Sequence, residues 1–179
     1  MSAGLARLRA LLAEQGGLIA SLLHAGTPAE NGRDGRASPG SIAARGPRAH
    51  GRSDEYELLV EAIYEGYLLH YGSPRVMRAP EADLGLLAGD RLYAIGLARL
   101  VALGDTHAVA ELADTITLSA LAHGSGEPEL AAAVWAAGAH AVGWGLSDEH
   151  GRAKELAFAG SPEALDAMRT SAAAYAAAP

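Results

Sequence analysis

The chain has no cysteine, which excludes disulfides, thiolate metal sites and a cysteine nucleophile. That absence is compatible with a reducing, cytoplasmic location, which is the expected one. Aromatic residues fill only 5% of the 179 positions, so the core must be built from Leu, Ala and Val on closely approaching backbones. Lysine is nearly missing: Lys154 stands alone, and the formal net charge is −7. No nucleic-acid partner is expected, because phosphate binding relies on Lys and Arg to release counterions. Long apolar runs are lacking as well. The opening stretch MSAGLARLRALLAEQGGLIASLLHAG is interrupted by Arg7, Arg9 and Glu14, so neither a membrane span nor a signal-peptide core is expected there.

Hydrophobic residues nonetheless make up 50% of the chain, with Ala dominant, a composition that favours helices. Within residues 1–25, Leu5, Leu8, Leu12, Ile19, Leu22 and Leu23 recur at helical spacing. They predict an amphipathic helix packed on the body, with adhesion to a membrane surface as the alternative. Residues 26–53 change in texture to GTPAENGRDGRASPGSIAARGPRAHGRS, almost without large apolar side chains. Such a segment buries too little surface to offset its ordering entropy and predicts a disordered linker. Its charge is +3, against −10 for the rest of the chain. That balance suits a tether folding back on an acidic body better than a nucleic-acid arm.

Residues 54–179 read as a helical domain. Ser53 is placed to cap a helix with Asp54 and Glu55 in its first turn, ending near Tyr71 before Gly72 and Pro74. A second helix spans about 81–103, with Asp105 capping a third that stops near Gly124. A fourth runs from about Glu127 to Gly145, Ser147 starts a fifth, and Pro162 is at the first position of a sixth. No stretch alternates at period two, so the predicted class is all-α, an orthogonal or antiparallel bundle. The helix at 81–103 has no wide polar face and is expected in the middle of that bundle, with Asp90 as a buried hydrogen-bond anchor.

The stretch GSPRVMRAPEADLGLLAGDRLYAIGLARLVALGD resembles trans-type polyprenyl diphosphate synthases, through Gly72, Pro74, Val76 and the run Leu87-Ala88-Gly89-Asp90 that opens a long apolar helix. The resemblance implies part of an isoprenoid synthase fold. Active members of that family hold an allylic diphosphate through magnesium bridged by two Asp-rich motifs on facing helices. Carried over without gaps, the first motif falls on Glu61-Ala62-Ile63-Tyr64-Glu65, leaving Glu61 and Glu65 as candidate metal ligands at i and i+4. An alternative register, through Leu68-Leu69-His70, deletes the motif altogether. Asp90, Arg75 and Arg91 are the candidate diphosphate contacts, the arginines through their planar forks. If Glu61 and Glu65 read instead as structure, they form a solvated stripe with Glu57.

The chain has no second Asp-rich motif and no upstream Gly-Lys-Arg segment. The resemblance therefore implies a non-catalytic or accessory member, acting as a homo- or hetero-oligomer with a catalytic prenyl synthase as one candidate partner. Two alternatives stay open: an active, divergent prenyl-diphosphate enzyme using magnesium, and a helical interaction module without ligand. Other chemistries find no support. No His follows a Glu by three residues, as a di-iron bundle would want. His107 and Glu111 share a helical face but read as a surface pair, and Trp135 and Trp144 read as core packing or a partner surface.

Overall fold

The computed structural model describes residues 3–24, 37–78 and 81–176. Among them there are nine α-helices and one short 3₁₀ turn, with no β-strand, so the class is all-α. Helices α1 (Ala3–Gln15) and α2 (Gly17–Ser21) are separated at Gly16, whose φ of 66° ends the first. Next come α3 (Pro39–Ala43), the 3₁₀ turn (Pro47–Ala49) and α4 (Ser53–Tyr71), followed by α5 (Ala82–Ala102) and α6 (Thr106–Gly124). The chain finishes with α7 (Pro128–Trp144), α8 (Asp148–Phe158) and α9 (Ala164–Ala176).

Local chemistry accounts for most of the boundaries. Asp105 caps α6 by accepting from the Ala108 N–H at 3.0 Å, and Ser147 caps α8 by accepting from the His150 N–H at 3.1 Å. Both caps are where the sequence puts them. Ser53 does not cap α4. It is the first helical residue, Arg52 holds the cap position, and the Ser53 hydroxyl donates to the Ala49 carbonyl instead. Pro162 lies in a turn, so α9 starts two residues later than its proline suggests.

Two helices organise the core. Helix α4 is buried nearly all round, and α7 contributes Trp135, Ala137, Ala141 and Val142 to the interior. One hydrophobic cluster joins α4, α6 and α7 through Leu59, Ile63, Leu112 and Trp135. A second joins α7 to α8 and α9 through Ala137, Ala153 and Met168. A third seats α1 on α4 and α5 through Leu8, Leu12, Ala62 and Leu92. The first helix therefore packs on the body, where Arg7 also pairs with Asp54 at 2.7 Å.

Two expectations need correction. Residues 38–50, read as the end of a disordered linker, are folded against α4 and α7, with Pro39, Gly40, Ala43 and Ala49 buried. The segment needs no large side chains because its backbone makes the contact. A Cβ on Gly143 would sit 2.6 Å from the Ala43 carbonyl oxygen, and one on Gly40 would meet Glu61 Cγ at 2.5 Å. Residues 26–36 of the expected linker lie outside the described residues. Helix α5 is at the edge, not the middle. Gly85, Ala88, Gly89, Leu92, Ile95, Gly96 and Leu100 face inward, while Leu86, Leu87 and Val101 stay exposed.

Candidate functional site

Glu61 and Glu65 sit one turn apart on α4, and both are fully buried. They are neither a solvated stripe nor an open pair of metal ligands. Glu65 Oε1 accepts from three successive backbone N–H groups, Arg75 and Val76 at 2.7 Å and Met77 at 3.1 Å. Its other oxygen accepts from Arg75 Nε at 3.2 Å. A buried carboxylate is stable only with such partners, and here the Gly72–Arg78 turn supplies them. Glu61 lies 2.7 Å from Arg75 Nη2, within ion-pair distance but out of line for a hydrogen bond. Burial alone would lower the Arg75 pKa, but the two carboxylates outweigh it and raise the pKa. The guanidinium also lies 4.9 Å over the Tyr64 ring.

Asp90 and Arg91 do not join this cluster. Asp90 is 69% exposed on the outer side of α5 and lies 3.5 Å from His70 Nε2. The expected buried anchor is thus a surface residue, because α5 turns its glycine stripe inward and this side out. His70 is nine residues beyond Glu61 on α4, about 13 Å along the axis at the rise of an α-helix. Arg91 is exposed and reaches Gln15 Oε1 at 3.4 Å. Between α4 and α5 there is no room for a diphosphate: a Cβ on Gly66 would meet the Gly89 carbonyl oxygen at 2.9 Å.

The residues present do not fit the magnesium that the resemblance implies. Both candidate carboxylates are turned onto Arg75, and among the described residues no group of three His, Asp or Glu side chains is placed to hold a metal. Magnesium needs several oxygen ligands around one point, which this arrangement does not offer.

A second polar constellation, formed by α6, α8 and α9, escaped the sequence reading. Glu111 is buried, not on the surface, and its partner is His150 rather than His107: Glu111 Oε1 is 2.7 Å from His150 Nε2. His150 Nδ1 is 3.0 Å from the Ser171 hydroxyl, and Lys154 Nζ donates to Glu111 Oε2 at 2.8 Å while pairing with Asp114 at 2.5 Å. Burial would raise the Glu111 pKa, but the bonds from His150 and Lys154 hold it below the usual carboxylate range. Desolvation would likewise lower the Lys154 pKa, and Asp114 and Glu111 raise it. The available signal was the i, i+4 spacing of His150 and Lys154, which puts an imidazole and the only lysine on one face of α8.

Ser, His and Glu are the residue types of a hydrolytic triad, yet Ser171, His150 and Glu111 are all closed off from solvent. The neighbouring groove of about 260 Å³ is lined by Glu149, Arg152, Ala153, Leu156, Ala167 and Thr170, not by Ser171. It is also smaller than the roughly 300–1,000 Å³ of ordinary small-molecule pockets. The constellation serves as an interior lock between three helices.

A third network surrounds Asp105, which bonds the Tyr56 hydroxyl and pairs with Arg48 at 2.8 Å. Although burial would raise its pKa, the Tyr56 hydroxyl, the Ala108 N–H and Arg48 hold it low. Tyr56 is pushed up to about 12, by burial first and by Asp105 second. Arg48 Nε also donates to the Val142 carbonyl at 3.2 Å, tying the 3₁₀ turn to α6 and α7.

No helix among the described residues is long and apolar enough to cross a membrane. Set beside known proteins, the chain matches no protein family, no curated protein and no solved structure.

Proposed function

We propose that the chain is a non-catalytic helical accessory protein that acts by contact with a partner, similar in role to the small subunits of heteromeric isoprenoid synthases. The observation that carries this reading is the commitment of Glu61 and Glu65 to Arg75 and to the backbone of residues 75–77. Carboxylates buried this way, one bonded to the 75–77 backbone and both facing the Arg75 guanidinium, are closed to a magnesium-bound diphosphate. The filled contact between α4 and α5 supports the same reading. The partner surface is assigned to the outer side of α5, where Leu87 is 65% exposed between Leu86 and Val101. A cytoplasmic catalytic prenyl synthase is the partner this proposal names, and oligomerisation is part of it.

Two measurements test the proposal. Melting of the purified chain with an allylic diphosphate, with and without magnesium, should give coincident curves and no turnover. A magnesium-dependent rise in Tm that disappears in Glu61→Ala would favour the active, divergent enzyme instead. Titration into a catalytic prenyl synthase should give a complex with altered product length. Failure to associate would leave a helical interaction module with a different partner.

A further inference from the structure

Four of the nine aromatic side chains are gathered in one place. The Trp135 ring, buried on α7, lies 5.2 Å from that of Tyr67 and 4.9 Å from that of Tyr64 on α4. The buried Tyr67 hydroxyl is 2.9 Å from His123 Nε2. His123 stacks on Tyr71, with centroids 4.6 Å apart and planes 3° from parallel. Tyr71 is 42% exposed and lies 5.7 Å from Tyr67. Ring contacts therefore run without a break from the core to solvent.

The hydrogen bonding gives this row a direction. Oxidising a tyrosine makes its phenol strongly acidic, so the electron leaves readily only where an acceptor stands ready for the proton. His123 Nε2 is such an acceptor when its other ring nitrogen carries hydrogen. Trp135 Nε1 is buried and has no hydrogen-bond partner, so an oxidised indole there has nowhere to send its proton and keeps its hole mobile. Burial first, with Tyr64 and Tyr71 adding to it, pushes the Tyr67 pKa up to about 12, which keeps the proton on oxygen until the electron has gone.

The geometry points to a further activity: Trp135, the Tyr67–His123 pair and Tyr71 form an internal path that carries a one-electron oxidising equivalent from the core to the surface. The source is a radical oxidant of the hydroxyl or peroxyl class, and the final reductant is a small thiol. The oxidant takes one electron from Trp135, leaving an indole radical cation. Trp135 recovers an electron from Tyr67, whose O–H bond breaks as its proton passes to His123 Nε2. The Tyr67 phenoxyl then takes an electron from Tyr71 and its proton back from His123, while the Tyr71 proton goes to water. A thiol gives a hydrogen atom to the Tyr71 phenoxyl, restoring the phenol and leaving a thiyl radical. The path is independent of the accessory role.

The test uses the full chain carrying Trp144→Phe, so that Trp135 is the only indole, with laser photoionisation to create the hole. Transient absorption should show the indole radical decaying into a phenoxyl radical at a rate independent of protein concentration. Tyr67→Phe and His123→Phe should each slow that decay at least about tenfold, while Tyr64→Phe leaves it unchanged. A nitroso spin trap should mark Tyr71, and the adduct should vanish in Tyr71→Phe. Equal decay in the parent and His123→Phe chains, or an indole radical that yields no phenoxyl, would overturn the path. Slowing by Tyr64→Phe alone would overturn the assignment to Tyr67. His123 is only partly buried, so its variant keeps the test open if Tyr67→Phe fails to fold.

Discussion

At the scale of single residues, the interior depends on a few ionic groups whose partners differ in kind. Arg75 serves two buried carboxylates, so its removal leaves both without a counter-charge. Arg75→Leu should cost about 3–5 kcal/mol in urea unfolding, the range for a broken buried pair. Glu61→Gln should cost clearly less, because Glu65 still holds the guanidinium and the 75–77 turn. The lock on α6 predicts how stability varies with pH. The lowered Glu111 pKa contributes stability that is present above its unfolded value and is lost as pH falls through the folded one. The raised Lys154 and Tyr56 pKa values contribute stability that is present below their unfolded values. It is lost as pH rises through the folded ones, which for Tyr56 is about 12. Glu111→Gln should therefore flatten the acid limb of a Tm-against-pH curve and lower its plateau. It should weaken the alkaline limb too, since Lys154 loses one of its two carboxylates.

At the scale of elements, glycine does more here than punctuate helices. Gly143 meets the Ala43 carbonyl and the Gly46 Cα, both backbone atoms that cannot rotate aside. Gly143→Ala should lift α3 from α7 and cost about 1–3 kcal/mol, as overpacking does. Amide exchange at residues 40–46 should speed up with it. Gly151 offers the opposite case: it lies within α8 and an added Cβ would meet nothing within 4 Å. Gly151→Ala should stabilise the chain by about 0.5–1 kcal/mol through helix propensity alone. These two glycines look alike in sequence. Periodicity and caps disclosed the helices from α4 onward because those signals are local. The fold of residues 38–50 was not legible, since its burial depends on which backbone it meets, and small residues carry no mark of their neighbour. The edge position of α5 escaped for a related reason. Its leucines lie on both sides, and only the glycine stripe tells which side is inward.

At the scale of the whole molecule, the candidate site was legible in part. The family resemblance brought Glu61, Glu65 and Arg75 to attention, and the structure places all three together, as a largely buried ion cluster. Asp90 and Arg91 were grouped with them by motif order, and the packing of α5 separates them. The lock of Glu111, His150, Ser171 and Lys154 joins positions up to 60 residues apart in sequence, a distance that no local pattern spans. The outer side of α5 gives a contrast within one helix. Leu87→Glu should change unfolding free energy by no more than about 0.5 kcal/mol, as at other exposed sites. Leu92→Ala, in the buried stripe, should cost about 2–5 kcal/mol.

Glu65 has one more consequence. The turn it gathers also carries Met77, which bridges to Leu23, and Arg78, whose N–H donates to the Leu22 carbonyl at 2.8 Å. The turn that receives the residues just after α2 is thus held in place by a side chain of the fourth helix. The start of the chain is a layer laid over α4, α5 and that turn. It should be the first part to come away in mild denaturant, with α1 amides exchanging well before those of α4.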